Sequence, residues 1–471
     1  MGAAEMTIAN IDRYDPDRLS LIGDRAVVIG GSLAGLSAAR VLADAFEEVV
    51  VVDRDSLPDE PVARKGAPQT SHPHVLLEAG RATLEDLFSG FGEEILAEGG
   101  LMIDSGTKMR HFEHGGFLAD TRERLPTYCA SRPLFEYVLR RRVNQIKNVE
   151  LRGNHQFTEY LTTADAETIT GVAIRDENGK EKTLSTDLVV DATGRTSRTP
   201  QWLDGHGYDT PRVDEVHVDV TYSSIQIERP SDDRRLFFVP PSSPRTRGGG
   251  LIPIEGDRRE VILQGVHGDD APTDPDRFVE FAESLPLTEV GELVTSLPWV
   301  SDEIAHYPYP SSIRRRYEDL DQFPDGLVVT GDAIASFNPI NGQGMSVAAL
   351  DALQLHHALA RAGLNNLARR FFGRTADVVD IVWQMSVGAD FDFPETTGPK
   401  PHGTDLFNWY VDHLVKQAHS DPVLSEAFLR VMRLEQRPTK LLQPGIVWRV
   451  FRPTGILEPH LLPTSKEPLG S

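Results

Sequence analysis

The sequence predicts an α/β fold with three parts: a discontinuous Rossmann-like nucleotide-binding domain, an inserted antiparallel-sheet domain and a helical C-terminal region. An apolar run, "RAVVIGG", ends in glycines and leads into a helical pattern and a second apolar run, as in a βαβ unit. Short alternating strands follow from residue 149. A later run, "GLVVTGD", precedes a mostly helical stretch. We place the domains at residues 21–210 with 320–360, at 211–319 and at 361–471.

Composition and charge exclude several classes of protein. The 471 residues include 48 basic and 71 acidic side chains, a net charge of −23, which repels nucleic acid and anionic membranes. The acidic balance fits either a high-salt cytoplasm or a composition that favours arginine over lysine, and both explanations stay open. No apolar run approaches the ~20 residues of a membrane span, and the start of the chain lacks a signal-peptide core. With one cysteine, Cys129, we expect a cytoplasmic protein without nucleic-acid partners or stable membrane insertion.

The first turn between strand and helix resembles a dinucleotide-binding turn. Residues 30–35 read GGSLAG, which departs from G-x-G-x-x-G only at Ser32. Serine is small enough to let a pyrophosphate approach, and its hydroxyl can donate a hydrogen bond. Asp53 ends the next strand at the spacing expected for an acid that binds a ribose hydroxyl. A plain α/β turn without a ligand is the alternative. The candidate residues are Gly30, Ser32, Leu33, Ala34, Gly35, Asp53 and Arg54.

The middle of the chain predicts two helices and a set of hairpins. A helix is expected from about residue 75 to 88, and another follows Ser131, a plausible N-cap with Pro133 in the first turn. The pair Asn178-Gly179 predicts a hairpin turn, and so do residues 255–257. The segment "TDLVVDATGRTSR" is a buried strand followed by a glycine-containing loop.

A second unusual turn lies at "GDAIASFNPINGQGM", which begins at Gly331. A strand ends there in Gly-Asp, and after a short irregular stretch a helix begins beside two glycines. The first turn of a helix leaves N–H groups without partners and carries the positive end of the helix dipole. Glycines at this point let a large, electron-rich group lie against the backbone.

Three segments together resemble a known superfamily: "RKGAPQTSHPHVLLEAG", "VVDATGRTSR" and "GDAIASFNPINGQGM". They are similar to the FAD-dependent hydroxylases and epoxidases related to para-hydroxybenzoate hydroxylase, and most of all to bacterial epoxidases of polyether precursors. The resemblance covers most of the chain. It implies a monooxygenase with non-covalent FAD that uses O2, through a flavin C4a-(hydro)peroxide, to epoxidise or hydroxylate a largely apolar small molecule.

The resemblance also implies roles for individual residues. Asp332 would bind the ribitol hydroxyls of FAD, and Pro339 would turn the chain toward the flavin. Arg64 and Arg132 would reach the FAD phosphates or the flavin rim, unless they are surface charges on a loop and a helix cap. Backbone groups near the pyrimidine edge or close to the cofactor would come from Gly194, Gly331, Gly342, Gln343, Gly344 and Met345.

Two departures from the superfamily bear on the reaction. The Asp-Gly pair that serves NADPH in aromatic hydroxylases is absent from "DATGR", which favours a separate flavin reductase or a different NAD(P)H path. The "WxWxIP" signature of flavin halogenases is also absent. Three rivals stay open: a reductase of polyprenyl or geranylgeranyl double bonds, a non-redox flavin-dependent cyclase, and an escort protein with a flavoprotein fold. We expect structural roles, not metal binding, for His72, His74, His111 and His114, and a buried, inert Cys129.

Overall fold

The computed structural model describes residues 11–452, so the first ten residues and the last nineteen of the sequence lie outside the described range. Within that range the chain forms strands and helices in the mixed α/β order that the sequence predicts. The strands are β1 (Gly23–Ile29), β2 (Phe46–Val52), β3 (Leu101–Asp104), β4 (Met109–Glu113), β5 (Gly116–Phe117), β6 (Pro126–Cys129), β7 (Val149–Arg152), β8 (His155–Thr162), β9 (Ile169–Asp176), β10 (Glu181–Ser185), β11 (Leu188–Asp191), β12 (Arg212–Glu228), β13 (Leu236–Val239), β14 (Arg247–Ile254), β15 (Arg258–Val266), β16 (Ala305–Arg316), β17 (Leu327–Val329) and β18 (Ala335–Ser336).

The helices lie mainly between the strands of the first sheet and after the last strand. They are α1 (Leu33–Leu42), α2 (Glu78–Leu87), α3 (Phe91–Ala97), α4 (Ser105–Lys108), α5 (Arg132–Asn144), α6 (Thr199–Gly205), α7 (Pro275–Glu283), α8 (Thr288–Ser296), α9 (Gly344–Ala362), α10 (Leu367–Asp390), α11 (Thr404–Ala418), α12 (Pro422–Met432) and α13 (Pro444–Phe451). The last of these lies within residues 361–471, for which the sequence predicts a helical region. Within residues 11–452, no helix combines the length and the apolar character needed to cross a bilayer.

A five-stranded parallel sheet in the order β17-β11-β1-β2-β7 forms the first layer. Its central strands are buried on both faces, which explains why they read as continuous apolar runs in the sequence. Strand β17 returns from far along the chain to pair with β11, so the sheet is discontinuous in sequence. All five carboxyl ends lie at one edge, where ligands bind in open α/β sheets.

An eight-stranded sheet in the order β18-β16-β12-β15-β14-β13-β4-β5 forms the second large layer. Its pairs are antiparallel except for β13 with β4. The hairpin predicted at residues 255–257 joins β14 to β15, and the Asn178-Gly179 turn joins β9 to β10. Strands β4, β5 and β18 come from outside residues 211–319, and the domain boundaries drawn from the sequence stay a prediction.

The helix that follows Ser131 ties the two layers together. The Ser131 hydroxyl accepts a hydrogen bond from the Leu134 N–H at 3.3 Å, so it caps α5 as the sequence predicted. The same hydroxyl donates to Glu255 Oε1 at 2.6 Å, and the Ser131 N–H donates to Glu255 Oε2 at 2.9 Å. Because Glu255 lies in the turn between β14 and β15, one serine fixes the helix start against the antiparallel sheet.

We expect Ser131→Ala to lower the free energy of unfolding by about 1–2 kcal/mol, since it removes a helix cap and a hydrogen bond to a buried carboxylate. Urea denaturation followed by tryptophan fluorescence measures the change. Ser296→Ala is the control, because that exposed hydroxyl bonds only within its own helix, to the Glu292 carbonyl. Equal effects of the two substitutions would contradict the role given to Ser131.

Candidate functional site

The turn after β1 requires glycine at two positions. Gly30 has φ +110°, and a Cβ there would lie 2.4 Å from the Ala192 carbonyl oxygen in the loop after β11. A Cβ at Gly35 would lie 1.8 Å from the Gly30 carbonyl oxygen. Neither contact is possible for a side chain, so the two glycines let β1, α1 and the β11 loop approach one another closely. The Leu33 side chain is buried in the core beneath this turn.

The carboxylate of Asp53 is held in place at the end of β2. Its Oδ2 accepts from the Gly31 N–H at 2.6 Å, and its Oδ1 accepts from the Asp55 N–H at 2.8 Å. The Ser32 hydroxyl accepts from Arg64 Nη2 at 2.7 Å, which leaves the hydroxyl hydrogen to donate. The structure therefore brings the predicted serine, aspartate and arginine to one place.

Two of the predicted arginines share a buried carboxylate that the sequence analysis did not single out. Arg64 contacts Glu136 at 3.0 Å, and Arg132 contacts the other oxygen of Glu136 at 2.8 Å. All three side chains are buried, so the interpretation of these arginines as surface charges is wrong. Burial disfavours ionisation of Glu136, but the two guanidinium groups bring its pKa below the ordinary value. The four-residue spacing between Arg132 and Glu136 on α5 was an available signal.

The loop after β11 is organised by another buried carboxylate, Asp191. Its Oδ1 accepts from the N–H and hydroxyl of Thr193, and its Oδ2 accepts from the hydroxyls of Ser197 and Thr199, each hydroxyl at 2.6 Å. Gly194 has φ +77° in this loop, and its position brings the backbone toward the end of β17. The positive φ explains why glycine occupies this position in the loop.

A cavity of about 370 Å³ opens at the carboxyl ends of β1, β2 and β11; we call it the nucleotide cavity. Its wall has an acid at the end of β2, arginines, and aromatic rings from β8. Those groups suit a ribose, phosphates and a planar base, respectively. The residues that line it include Gly30, Ser32, Asp53, Arg54, Arg64, Phe157, Tyr160, Thr193 and Arg198.

The end of β17 lies next to the end of β11, which lines this cavity. Gly331 has φ +65°, its N–H donates to Asp351 Oδ2 at 3.0 Å, and a Cβ there would lie 2.9 Å from the Cβ of Ala34. The Asp332 side chain is exposed. Desolvation by the surrounding protein raises the pKa of the Asp332 carboxyl, and Arg132 and Arg195 oppose that rise.

The segment from Asn338 to Gly344 leads into α9. Gly342 has φ +63° and lies against Val75. The Gln343 side chain is buried, and neither of its amide atoms has a hydrogen-bond partner among the described residues. Pro339 is exposed at the outer side of the segment, whereas Met345 is buried in the core. The first turn of α9 is therefore held against the rest of the protein with polar groups still available to a ligand.

A second cavity, of about 140 Å³, lies between this segment, the antiparallel sheet and the C-terminal helices; we call it the inner cavity. Asn338 and Gln343 contribute to its wall. Most of the remaining wall is apolar, from Val218, Phe238, Val266, Met385, Phe393, Phe407, Val411, Phe428 and Met432. No lysine or arginine within the described residues lines it.

The histidines have ordinary structural partners. His72 Nδ1 bonds to the Ser224 hydroxyl at 2.8 Å, and His74 Nδ1 bonds to the His72 carbonyl at 2.8 Å. His111 pairs with Glu113, and His114 with Asp412. Residues 11–452 contain no group of ligands that could hold a metal ion. Cys129 is buried, and burial raises the pKa of its thiol to about 12.

Comparisons with known proteins define the class. The chain matches the model of the family described as FAD binding domain over residues 24–365, and it belongs to that family. It is 34% identical over 423 residues to Protein Rv3254 of Mycobacterium tuberculosis, covering 86% of this chain and 89% of that protein. It is 23% identical over 331 residues to digeranylgeranylglycerophospholipid reductase 1 of Methanopyrus kandleri, covering 68% and 76% of the two chains.

Solved structures with similar folds include proteins described as flavin-dependent or FAD-dependent. The flavin-dependent brominase Bmp2 aligns with a TM-score of 0.60 at 16% identity, over 87% of this chain and 92% of the brominase. PqsL, a probable FAD-dependent monooxygenase from Pseudomonas aeruginosa, aligns with a TM-score of 0.58 at 17% identity, over 78% and 97%. The Diels-Alderase PyrE3 aligns with a TM-score of 0.56 at 17% identity, over 88% and 80%. These likenesses establish the fold.

The family match and the two cavities agree on the cofactor. FAD is the cofactor of this chain, an FAD-dependent oxidoreductase in class. The residues present fit it: the nucleotide cavity offers an acid and arginines to an adenosine diphosphate, and the buried, unpartnered amide of Gln343 lies where α9 begins. The prediction of FAD from the sequence is confirmed, whereas the closer likeness to polyether epoxidases stays a prediction.

We expect Asp332→Ala to weaken FAD binding at least tenfold, because a charged acceptor to the cofactor's hydroxyls is worth roughly 1.5–3 kcal/mol. The ratio of flavin to protein absorbance after purification, and titration of the apoprotein with FAD, measure the loss. Asp232→Ala, an exposed aspartate between β12 and β13, is the matched control. Acid denaturation of the wild type should release free FAD, and flavin that stays on the polypeptide would overturn the non-covalent assignment.

We expect Glu136→Gln to destabilise the protein by about 3–5 kcal/mol, since it leaves two arginines buried without their carboxylate. The folded pKa of Glu136 is lowered, so its contribution is present above the pKa of an unfolded glutamate and is lost as the pH falls through the folded pKa. The difference between wild type and variant should therefore narrow toward acid pH in chemical denaturation.

Glu150→Gln is the control for that substitution, because Glu150 pairs with Arg152 at 2.6 Å while half exposed. An exposed pair contributes about 1 kcal/mol or less. If Glu136→Gln and Glu150→Gln lower the free energy of unfolding equally, the buried carboxylate is not needed to hold Arg64 and Arg132.

Proposed function

We propose that the protein is an FAD-dependent monooxygenase that adds one oxygen atom of O2 to a small molecule bound in the inner cavity. The observation that carries this proposal is a mostly apolar cavity next to the segment from Asn338 to Gln343. No lysine or arginine of the described residues lines it. An apolar site beside the cofactor excludes water from the reaction. Reduced FAD, when bound, supplies the oxygen-activating chemistry.

The chain's own residues hold the cofactor in this proposal. Asp53 accepts from a ribose hydroxyl, Arg64 contacts the phosphates from the nucleotide cavity, and Asp332 accepts from the ribitol hydroxyls. The backbone N–H groups from Gly342 to Met345 face the pyrimidine edge of the flavin. Since these groups lie at the N-terminus of α9, a 19-residue helix, they stabilise negative charge there.

The remaining site residues shape the reaction space. Gly331 and Gly194 bring the backbone close to the cofactor without a side chain in the way. Helices α10, α11 and α12 contribute Met385, Phe407 and Phe428 to the far wall of the inner cavity. These apolar side chains orient the substrate and keep bulk water from the reacting atoms.

We propose that electrons come from a separate flavin reductase. In related hydroxylases an Asp-Gly pair in the loop after β11 serves NADPH, and here that loop reads "DATGR". The carboxylate of Asp191 is buried, and both of its oxygens accept hydrogen bonds from within the loop. It is therefore not available to a nicotinamide cofactor.

A second reaction is supported by a specific similarity. The relative from Methanopyrus kandleri is a digeranylgeranylglycerophospholipid reductase, so reduction of polyprenyl double bonds is the second candidate. A non-redox cyclisation is the third, since a Diels-Alderase shares the fold. Hydride transfer and oxygen transfer differ in whether O2 is consumed, so one measurement separates them.

The test follows oxygen and electrons directly. Without O2, NADPH alone should reduce the bound FAD slowly, as measured by loss of the flavin absorbance. Reduction should become rapid when a flavin reductase is added. With reductase, labelled O2 and a panel of apolar alkenes and arenes, product mass spectra should show one labelled oxygen atom. Rapid reduction of the flavin by NADPH alone would overturn the proposal that a separate flavin reductase supplies the electrons. A saturated or cyclised product without label would move the protein to the second or third candidate.

A further inference from the structure

The wall of the inner cavity contains buried polar atoms that the proposed cofactor contacts do not use. Asp390, the last residue of α10, is nine-tenths buried, and its Oδ2 has no hydrogen-bond partner within residues 11–452. The same holds for Nδ1 of His111 on β4. Both residues line the inner cavity. Buried polar atoms are almost always hydrogen-bonded, so these two atoms need partners beyond the described residues, either ordered water or a ligand.

The other oxygen of Asp390 is fixed. Its Oδ1 accepts from Asn338 Nδ2 at 2.7 Å. The orientation of the Asn338 amide is set in turn, because its Oδ1 accepts from the Tyr222 hydroxyl at 2.8 Å and from the Ile340 N–H at 3.3 Å. This chain of hydrogen bonds links the cofactor segment to the carboxyl and leaves only Oδ2 to face a ligand.

The charged groups in the wall of the cavity are mainly acidic. Its titratable wall residues are three acids and three histidines, and no lysine or arginine from the described residues lines it. Arg245 lies outside the wall and lowers the pKa of the Glu113 carboxyl, so Glu113 has a nearby cation, whereas the charged neighbour that acts on Asp390 is Asp392. An anionic ligand beside Asp390 would therefore meet a carboxylate, which is unfavourable at low dielectric. The titratable wall residues are Glu113, Asp390, Asp392, His111, His114 and His267.

We propose that Asp390 Oδ2 accepts a hydrogen bond from a hydroxyl or amino group of the substrate, and that the inner cavity selects neutral or cationic molecules over anions. His111 offers a second acceptor. Its Nε2 lies 2.8 Å from Glu113 Oε2, so in the neutral ring the hydrogen is on Nε2 and Nδ1 has a lone pair that can accept. The substrate is thus an apolar body with hydrogen-bond donors. The identification of this ligand as a substrate rests on the proposed function, whereas its binding to Asp390 is independent of that function.

The titration of Asp390 adds a dependence on pH. Burial raises the pKa of its carboxyl to about 7; the hydrogen bond from Asn338 opposes the rise and the charge of Asp392 adds to it. The carboxyl is therefore increasingly ionised as the pH rises through neutrality. A cationic ligand should gain affinity over that range, and a neutral alcohol should not.

Four small probes with one common ring test the proposal on the FAD-loaded protein: benzyl alcohol, benzylamine, toluene and benzoate. An apolar protein cavity of about 150 Å³ accepts benzene, so the ring matches the inner cavity. Perturbation of the flavin absorbance spectrum reports binding without turnover. At pH 8 we expect benzyl alcohol and benzylamine to bind about tenfold more tightly than toluene, and benzoate to bind most weakly.

Two substitutions at Asp390 separate hydrogen bonding from charge. Asp390→Asn keeps the shape, but its amide oxygen must accept from Asn338, so its Nδ2 faces the ligand as a donor in place of Oδ2. A hydroxyl can accept from that N–H, so the preference for alcohol over toluene should remain, while the rise in benzylamine affinity from pH 6 to pH 8 disappears. Asp390→Ala should remove both preferences. Asp302→Asn, an exposed aspartate outside the cavity wall, is the control, and thermal melting with bound FAD verifies that each variant is folded.

Three results would overturn the proposal: benzoate binding as tightly as benzyl alcohol, an unchanged preference for alcohol over toluene in Asp390→Ala, or no saturable binding of either donor probe. Failure of the proposed monooxygenation is recognised separately, by product without labelled oxygen. In that case the preferences of the probes would still assign Asp390 as the ligand-binding carboxyl.

Discussion

Close backbone contact among three strand ends is the constraint on which the site depends. The turn after β1 touches the loop after β11 at Gly30 and Ala192, and the end of β17 touches α1 at Gly331 and Ala34. Side chains at the two glycines would separate these segments by more than the packing allows. Because β17 comes from a distant part of the sequence, the same contacts also close the discontinuous domain.

Charge is distributed to match that geometry. Around the nucleotide cavity, Arg64 and Arg132 are kept in place by Glu136, so positive charge is available to a phosphate without an unpaired ion in the core. No lysine or arginine of the described residues lines the inner cavity, and its wall around Asp390 is mostly apolar. This distribution fits the proposal that cations contact the cofactor and that acceptors contact the small molecule.

Much of the fold was predictable because its signals are local. Apolar runs bounded by glycine gave the parallel strands, Ser131 gave the start of α5, and the turn residues gave two hairpins. The motifs also picked out candidate cofactor residues, most of which lie within a few positions of a strand end, and their contacts with FAD stay a prediction.

The rest of the site could not be read from the sequence for a physical reason. Glu136 was recognisable only as a helical neighbour of Arg132, and its second partner is 72 residues away. Asp390 ends a helix with no motif around it, and its contact with Asn338 spans 52 residues. Carboxylates of this kind are identified by burial and by the partner of each oxygen, which are properties of the folded chain.

The two halves of the site differ in how far the family accounts for them. The family match ends at residue 365, after the cofactor segment and the first part of the wall that faces it. Met385, Asp390, Phe407 and Phe428, which complete the inner cavity, all lie beyond that point. Phe407 and Phe428 sit on α11 and α12, which pack around their own apolar cluster, whereas α10, which carries Met385 and Asp390, also packs into the main core with the parallel sheet. The family match accounts for the binding of FAD, and we propose that the C-terminal helices of this chain determine the choice of substrate.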